Sequence, residues 1–378
     1  MIPVMKPWLG EEEARAAAEA VASGWVAQGP RVAAFEEALR ARVGAAHGVA
    51  VSSCTTALHL ALVVLGLGQD DEVVVPSLSF IATANVVRYV GARPVFADVE
   101  PDTMNLSPDT IKPALSPRTR AVMLVHQAGT PADVDAVHAL CDPLGIAVVE
   151  DAACALGSTH RGGPIGAGSD LVAFSFHPRK VITTGEGGMV MTSRADWAER
   201  LRRLREHGMN VSAAARHAAR SPVIERYLEV GYNYRMTDIQ AAVGLVQLGR
   251  LDAMVARRRE LAASYRERLA DVPGVLMADD PPDGTTNFQS FWVLLADGFP
   301  VGRDALLERL MEHGISARRG IMAAHLEPAY ADLPSVALPV TERLTGRSLI
   351  LPLFHAMTQE EQDLVIAVVR DASGVAGR

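Results

Sequence analysis

The sequence predicts an α/β protein with two domains, a larger one built on a mostly parallel sheet and a smaller C-terminal one. Between residues 49 and 153, short apolar runs alternate with helical patterns, which is typical of parallel sheets covered by helices. Near residue 251 the pattern changes to one long charged helix. At 378 residues the chain is long enough for two domains, which we place at 1–250 and 251–378.

The N-terminal part is predicted to be helical. Residues 11–23 begin with three glutamates, at the end of a helix where the macrodipole favours negative charge. A second helix is expected at 31–42. The sequence between these helices, GWVAQGPRV, contains two glycines and a proline and is predicted to be a loop. Its Trp25 and Gln28 either line a site or pack as a connector.

A strand-to-helix turn follows at Ser52–Thr56. The run Val49–Val51 is β-like, and an apolar helix, ALHLALVVLGL, begins directly after the turn. Small hydroxyl residues at such a turn leave backbone N–H groups free to bind an anion. Simple helix capping explains the same residues, so the pattern alone leaves both interpretations open.

The α/β alternation then continues through strands and helices. Strands are expected at 71–80, 92–100, 120–129 and 146–153, with helices at 81–91, near 107–115 and at 131–144. Phe80, His126 and Asp151 fall at predicted strand ends, and in open α/β sheets ligands bind outside the carboxyl ends of the strands.

Asp151 follows the apolar run IAVVE and is therefore expected at the mouth of the sheet, partly buried. A buried carboxylate requires a cationic partner. The protonated pyridine nitrogen of pyridoxal phosphate (PLP) is one such partner, since enzymes that use PLP pair its ring nitrogen with an acidic residue. An aspartate that caps the next loop is the alternative.

Lys180 lies between a strand-like segment, Phe174–Phe176, and a glycine-rich turn, Gly185–Gly188. A lysine held in this way can aim its amine into a cleft. Such an amine forms a Schiff base with a carbonyl once desolvation or neighbouring charge removes its proton. A surface lysine on a connecting loop is the alternative.

A capping-box pattern, Thr237 followed by Gln240, starts an apolar helix in the segment 231–248. Asn233 and Arg235 lie in the loop just before that helix. The preceding residues, 210–230, are predicted to be irregular.

The C-terminal part is predicted to contain the long helix from about 251, a helix at 303–313 and a final helix at 358–372. Between them, Arg318 and Arg319 either face solvent or contact an anion. His325 is a weak candidate for a site by itself.

Composition excludes several classes of protein. A net charge of −8 and a pI near 5.8 argue against nucleic-acid binding, which requires a basic face. The three cysteines have no metal-ligand spacing, so no metal site and a reducing, cytoplasmic compartment are expected. The N-terminus turns acidic too early for a signal peptide, and no apolar run is long enough to span a membrane.

With these features combined, the chain resembles the DegT/DnrJ/EryC1/StrS family of PLP-dependent sugar aminotransferases, which have aspartate aminotransferase fold type I. The resemblance extends from residue 24 to 354, and its motifs occur in family order: VSSCTTALHLAL, PSLSFIATANVV, EDAA, SFHPRKVITTGEGG and GYNYRMTDIQAA. It implies a homodimer whose active sites are shared between subunits.

The resemblance also implies roles in the chemistry of the ring. Lys180 forms the internal aldimine with PLP and moves the proton between the substrate carbon and the cofactor. Asp151 holds the pyridine nitrogen protonated, and Phe80 stacks on the ring face.

The remaining cofactor contacts follow from the same resemblance. The backbone of Cys54 and Thr55 and the side chain of Ser175 bind the phosphate, and Asn233 reaches the phosphate of the neighbouring subunit. Cys154 stands where many members have a glutamine that contacts the phenolic oxygen of the cofactor. A thiol is a weaker hydrogen-bond partner, so this contact is lost, weakened or supplied by another group.

The function implied is transfer of an amino group, from L-glutamate or another amino acid, to a keto group of a nucleotide-linked deoxysugar. Pyridoxamine phosphate (PMP) carries the amine between the two half-reactions. Residues expected near the substrates are Gln28, His177, Arg179 and His325.

Three alternatives stay open. The first is amination of a non-nucleotide ketone such as an aminocyclitol precursor. The second is a PMP-dependent sugar dehydratase, although such enzymes typically have histidine in place of Lys180. The third is a PLP-binding regulatory protein, which would be expected to have lost Lys180 or Asp151.

Overall fold

The helices and strands of the computed structural model follow the predicted alternation, and the model describes residues 1–212 and 222–374. The helices are α1 (Glu11–Ala22), α2 (Pro30–Val43), α3 (Cys54–Val64), α4 (Ala82–Tyr89), α5 (Pro108–Ile111), α6 (Val134–Cys141), α7 (Ala195–Leu204), α8 (Asp238–Gly249), α9 (Leu251–Leu269), α10 (Arg303–Glu312), α11 (Pro339–Arg347) and α12 (Gln359–Ala372). The strands are β1 (His47–Val51), β2 (Glu72–Pro76), β3 (Arg93–Ala97), β4 (Thr119–Val125), β5 (Ala147–Asp151), β6 (Thr159–His160), β7 (Gly163–Pro164), β8 (Val172–Ser175), β9 (Gly188–Thr192), β10 (Val275–Met277), β11 (Gly284–Thr285), β12 (Phe291–Leu295), β13 (Arg318–Arg319) and β14 (Ser348–Leu351).

A seven-stranded sheet in the order β1-β9-β8-β5-β4-β2-β3 forms the centre of the larger part. The strands from β8 to β3 pair in parallel, whereas β9 runs antiparallel to both β8 and β1. The predicted mostly parallel sheet is therefore confirmed. The strand β9 was not predicted, because its first residue, Gly188, belongs to the glycine-rich sequence that indicates a turn.

A second, antiparallel sheet in the order β10-β12-β14-β13 lies in the C-terminal part. The short strands β11, β6 and β7 form a third sheet that joins the two parts of the chain. The N-terminal residues also reach the C-terminal part, since Ile2 N donates to Gly314 O over 2.8 Å and Leu353 N donates to Val4 O over 3.1 Å. The division at residue 250 stays a prediction.

The apolar sequence after the serine turn forms helix α3, which is buried between the large sheet and two other helices. Its residues from Ala57 to Leu62 are all buried, because this helix contacts the sheet on one side and α4 and α7 on the other. A helix that is apolar all round is expected at such a position. Burial on every side fixes the N-terminus of α3 against the edge of the sheet where β8 ends.

The loop that contains Gln28 is tied to the start of α8. Asp238, which is fully buried, accepts hydrogen bonds from the backbone N–H groups of Gly29 and Val32 at 2.8 and 3.0 Å. Thr237 and Gln240 form the predicted capping box at the same helix start. One carboxylate therefore satisfies the first turn of α2 and joins two segments that are distant in sequence.

Several predicted boundaries differ from the structure. The helix expected at 131–144 is shorter, Val134–Cys141, and a 3₁₀ turn at Asp142–Leu144 follows it. Strand β2 ends at Pro76, so Phe80 lies in the loop beyond it. Of the irregular segment predicted at 210–230, residues 213–221 lie outside the described part.

In the described ranges, no single helix has the length and apolar character needed to cross a membrane. One bent pair, α8 with α9, meets the length and composition criteria jointly.

Candidate functional site

The candidate site lies at the edge of the large sheet where β5 and β8 end. Asp151 is the last residue of β5, and Lys180 is in the loop that follows β8. Cys54, the first residue of α3, and Cys154, just beyond β5, lie close enough to Lys180 to influence its charge, as does Asp151. The structure thus brings together four residues that are far apart in sequence.

Lys180 is held at its backbone and at its amine. Its N–H donates to His177 O over 2.8 Å, which forms a turn, and its Nζ donates to Cys154 Sγ over 3.1 Å. Burial acts to lower the pKa of Lys180, but the interaction with Cys154, including its hydrogen bond, and the charge of Asp151 act in the opposite direction, and the pKa is raised. These side chains therefore favour the ammonium form, which must lose its proton before the nitrogen can react with a carbonyl.

Asp151 is only 5% exposed and is oriented by two hydrogen bonds. Its Oδ2 accepts from Thr83 Oγ1 over 2.9 Å, and its Oδ1 accepts from the N–H of Ala153 over 3.1 Å. Thr83 in turn contacts Ser79 Oγ at 2.8 Å. No arginine or lysine in residues 1–212 and 222–374 forms a salt bridge with Asp151. A buried carboxylate is stable when it is paired with a cation. Asp151 is therefore suited to pair with a cationic atom of a ligand.

The N-terminus of α3 lies beside the same strand ends. Ser53 caps the helix by accepting a hydrogen bond from the N–H of Thr56 at 3.2 Å, so the N–H groups of Cys54 and Thr55 stay available for an anion. Burial, followed by the charge of Asp151, raises the pKa of the Cys54 thiol well above its usual value. This thiol is therefore neutral, which suits a site for a negatively charged phosphate.

The glycine-rich sequence allows β9 to pass close to this helix start. A Cβ atom at Gly188 would lie 2.4 Å from the carbonyl carbon of Ser53 and 2.6 Å from Cys54 N. Such distances are shorter than any real contact, and the obstacle is backbone, which cannot rotate away. Gly188 is thus required for the close approach of β9 to the serine turn at the start of α3. Ser175, which is buried at the end of β8, lies on the same side, with its Oγ 3.5 Å from the N–H of His177.

These residues fit PLP. The helix N-terminus and Ser175 suit its phosphate, Asp151 suits its ring nitrogen, and Lys180 suits its aldehyde. Comparison with known proteins gives the family. A family model for DegT/DnrJ/EryC1/StrS aminotransferases matches residues 7–370. The chain belongs to the DegT/DnrJ/EryC1/StrS aminotransferase family. It is therefore classed with the PLP-dependent aminotransferases.

Solved structures agree with this assignment. The aminotransferase TlmJ from Streptoalloteichus hindustanus is 37% identical, with a TM-score of 0.91 and coverage of 98% of each chain. The sugar aminotransferase CalS13 from Micromonospora echinospora is 30% identical, with a TM-score of 0.89 and coverage of 98% of this chain and 100% of its own.

Spr1654 from Streptococcus pneumoniae has been solved in PMP and PLP forms. Its PMP form is 27% identical, with a TM-score of 0.93 and coverage of 99% of each chain. These neighbours confirm fold type I for this aminotransferase, as predicted.

Two of the predicted cofactor residues lie on the surface of this aminotransferase chain. Phe80 is 70% exposed, in the loop between β2 and α4, and its role as a stacking partner stays a prediction. Asn233 is also exposed, and its backbone forms an isolated bridge with Glu206. An exposed position is what a contact with a second subunit requires, although this chain by itself contains no such contact.

The four predicted substrate residues fall into different surroundings. Gln28 is buried, and its Nε2 donates to Glu206 while its Oε1 has no partner in the described residues. His325 bonds with Ser77 through Nδ1 at 2.6 Å and packs near Phe96. These contacts give His325 a structural place between β2 and the C-terminal part, and nothing in them supports contact with a substrate.

His177 and Arg179 lie on the lysine loop itself and face outward. Arg179 is exposed, and its N–H donates to His177 Nδ1 over 3.1 Å. Burial lowers the pKa of His177 and outweighs the opposing effect of Glu186, and the charges of Lys180 and Arg179 lower it further. His177 is thus a neutral acceptor that orients Arg179 at neutral pH.

Sequence reasoning missed three residues that position the site. Thr83 orients Asp151, and Asn287 donates through Nδ2 to the carbonyl oxygens of Cys154 and Leu156 at 2.9 and 2.8 Å. Gln289 donates through Nε2 to the carbonyl oxygen of Arg179. Ser79 lies in the loop before α4, so its spacing from Thr83 is not that of two residues on one helix face. None of the three residues carries a local pattern that indicates its partner.

One group of potential metal ligands lies elsewhere, at Asp133, Asp135 and His160. Arg161 forms an ion pair with Asp135 at 2.7 Å, so these carboxylates already have a cationic partner.

Proposed function

We propose that this aminotransferase moves an amino group from L-glutamate to a keto group of a nucleotide-linked deoxysugar. The observation that carries the proposal is that one site contains the Lys180 amine and the buried Asp151 carboxylate, which forms no salt bridge within the described residues. The sugar is supported by CalS13, a sugar aminotransferase 30% identical over nearly the whole chain.

When bound, PLP supplies a carbonyl that accepts amines and a ring that withdraws electrons from the substrate carbon. Asp151, oriented by Thr83, keeps the ring nitrogen protonated. The N–H groups at the start of α3 and Ser175 would hold the phosphate, and Lys180 would be the residue that reacts with the aldehyde. Lys180 Nζ would move a proton between the substrate carbon and the cofactor, taking it from one as general base and giving it to the other as general acid.

Cys154 takes the place of the glutamine found in many relatives. In this structure it accepts the hydrogen bond of Lys180 Nζ. We infer that Cys154 holds the amine while it is free and releases it when the cofactor binds.

We also propose a homodimer with shared active sites. Four apolar side chains just before Asn233 are exposed: Ile224 at 87%, Tyr227 at 62%, Leu228 at 59% and Val230 at 88%. Clusters of exposed apolar residues on one surface favour a protein interface. A second copy bound there would place Asn233 against the site of its partner.

The test of the amino donor is the visible absorption of the purified, PLP-loaded protein. L-glutamate should remove the absorbance and yield PMP and 2-oxoglutarate. The protein has only three lysines, Lys6, Lys112 and Lys180, so borohydride should attach the pyridoxyl group to Lys180 alone, as read by peptide mass. Absorbance that no amino acid removes, or a label on another lysine, would contradict the proposal.

The acceptor is tested with the protein in its PMP form. Return of the visible absorbance with a nucleotide-linked ketosugar, and not with a free cyclitol ketone, is the expected result. The opposite preference would favour the aminocyclitol alternative.

A further inference from the structure

Two arginines lie beside the lysine loop. Arg179 directly precedes Lys180, and Arg318 begins β13 in the C-terminal part. Both line one cavity of about 120 Å³. Within the part of the chain that the structure describes, neither guanidinium forms a salt bridge. The adjacent Arg319, by contrast, has Glu327 at 3.7 Å.

Proximity of these two positive charges is unfavourable unless an anion separates them. Partial desolvation lowers the pKa of Arg318, and the positive charge of Arg179 lowers it further, in keeping with the position of both residues on one cavity. A carboxylate placed between them would remove the repulsion. Arginine is well suited to this, because its planar group can bind both carboxylate oxygens.

The backbone of Arg179 is fixed on both sides. Its N–H donates to His177 Nδ1 and its carbonyl oxygen accepts from Gln289 Nε2. The cavity therefore has a defined position relative to Lys180, the next residue. Arg179 thus connects the cavity to the lysine loop through the chain itself.

Gln289 adds a second requirement to the ligand. It is only 7% exposed, lines the same cavity, and its Oε1 has no hydrogen-bond partner among the described residues. A buried acceptor of this kind calls for a donor. The other walls are largely apolar, formed by Val4, Met5, Ile350, Leu351 and Leu353. The cavity thus suits a small molecule with an anionic group, a hydrogen-bond donor and an apolar part.

Size separates the two substrates of an aminotransferase. Cavities for drug-sized ligands have volumes of about 300–1,000 Å³, so a cavity of about 120 Å³ fits a small polar group better than a whole nucleotide. An amino acid carries a carboxylate, N–H donors and methylene groups in a much smaller volume.

We propose that Arg179 and Arg318 bind a carboxylate of the amino acid that donates the amino group. Gln289 Oε1 then accepts a hydrogen bond from an N–H group of the same amino acid. This assignment rests on the proposed aminotransferase function and specifies its donor site. Both parts of the chain would then contribute to the binding site of the amino donor, since Arg179 belongs to the lysine loop and Arg318 to the second sheet.

The test is the donor half-reaction, followed in a single turnover by the loss of visible absorbance as L-glutamate is titrated. In Arg318→Ala, the half-saturating concentration should rise about 10- to 100-fold, the range expected for loss of a charged hydrogen bond, while the rate at saturation changes little. Arg318→Lys should recover part of the affinity because it restores the charge. Arg319→Ala is the matched control and should behave as the wild type.

Two further probes identify the group that binds. If Arg318→Ala weakens L-glutamine and L-glutamate equally, the α-carboxylate is bound; if only L-glutamate is weakened, the side-chain carboxylate is bound. Both results support the proposal. Unchanged half-saturation by L-glutamate overturns it, and weaker binding of inorganic pyrophosphate to the same variant would then assign the arginines to the acceptor. Failure of the wild-type protein to react with any amino acid would instead reject the aminotransferase function itself.

Discussion

The two halves of the site differ in how their charged groups are held. On the inner half, Asp151 is buried and hydrogen-bonded to Thr83, and Lys180 is bonded to Cys154. On the outer half, Arg179 and Arg318 are exposed and have no acidic partner in the described ranges. The inner groups are fixed before any ligand arrives, whereas the outer guanidinium groups can move to meet one.

This difference indicates that the inner half carries out the chemistry and the outer half recognises the substrate. A buried network holds its geometry for every substrate, as chemistry that is the same in both half-reactions requires. An exposed arginine without an acidic partner is solvated by water, so leaving it unpaired destabilises the protein little. Its side chain can therefore adopt different positions for different ligands. Substitutions in the inner half should therefore impair both half-reactions, and substitutions in the outer half should impair only one.

The largest effect is expected for Lys180→Ala. Loss of the amine removes both the attachment of the cofactor and the proton transfer, so turnover should fall by about 10⁴-fold or more. Steady-state kinetics measure this, with Lys112→Ala as a control, since Lys112 is an exposed lysine paired with Asp109 at 3.0 Å. Retention of normal turnover by Lys180→Ala would reject the inner half as the reactive centre.

Asp151→Asn should have the next largest effect. The amide keeps the shape of the side chain and can still accept from Thr83, but it cannot hold a positive charge beside it. We expect both half-reactions to slow by about 10²–10³-fold, as for the loss of other preorganised electrostatic groups. The circular dichroism spectrum should stay that of the wild type. A defect confined to one half-reaction would contradict the division between the halves.

The smallest effect is expected for His177→Ala on the outer half. Removal of Nδ1 takes away one neutral hydrogen bond to Arg179, so affinity for the amino donor should fall by about 2- to 10-fold. Because the pKa of His177 is lowered from 6.5, its ring is already neutral at pH 7 and above. The dependence of the donor half-reaction on pH above 7 should therefore be the same in the variant and the wild type. A changed profile in that range would show that His177 itself transfers a proton.

Much of the fold could be predicted from the chain alone. The alternation of apolar runs and helical patterns predicted the parallel strands, because each strand buried on both faces has a continuous apolar sequence. The strand β9 could not be predicted in the same way. Its first residue is a glycine, and the reason for that glycine is the backbone of Ser53, more than a hundred residues earlier in the sequence.

The candidate site shows the same limit. Lys180, Asp151 and the serine turn were found because each has a local pattern next to it. Thr83, Asn287 and Gln289 were missed because their partners are Asp151, the carbonyl oxygen of Cys154 and that of Arg179. No local pattern encodes a contact between segments so far apart.

The sequence by itself determined the fold class and the family, and it predicted the reactive groups, because these depend on residue type and on spacing along the chain. Only the tertiary structure decided which groups meet. It placed Cys154 on the amine of Lys180, left Asp151 without a salt bridge among the described residues, and brought Arg318 beside Arg179. The physical reason is that burial and electrostatic interaction depend on distance in space, and folding sets that distance independently of separation in sequence.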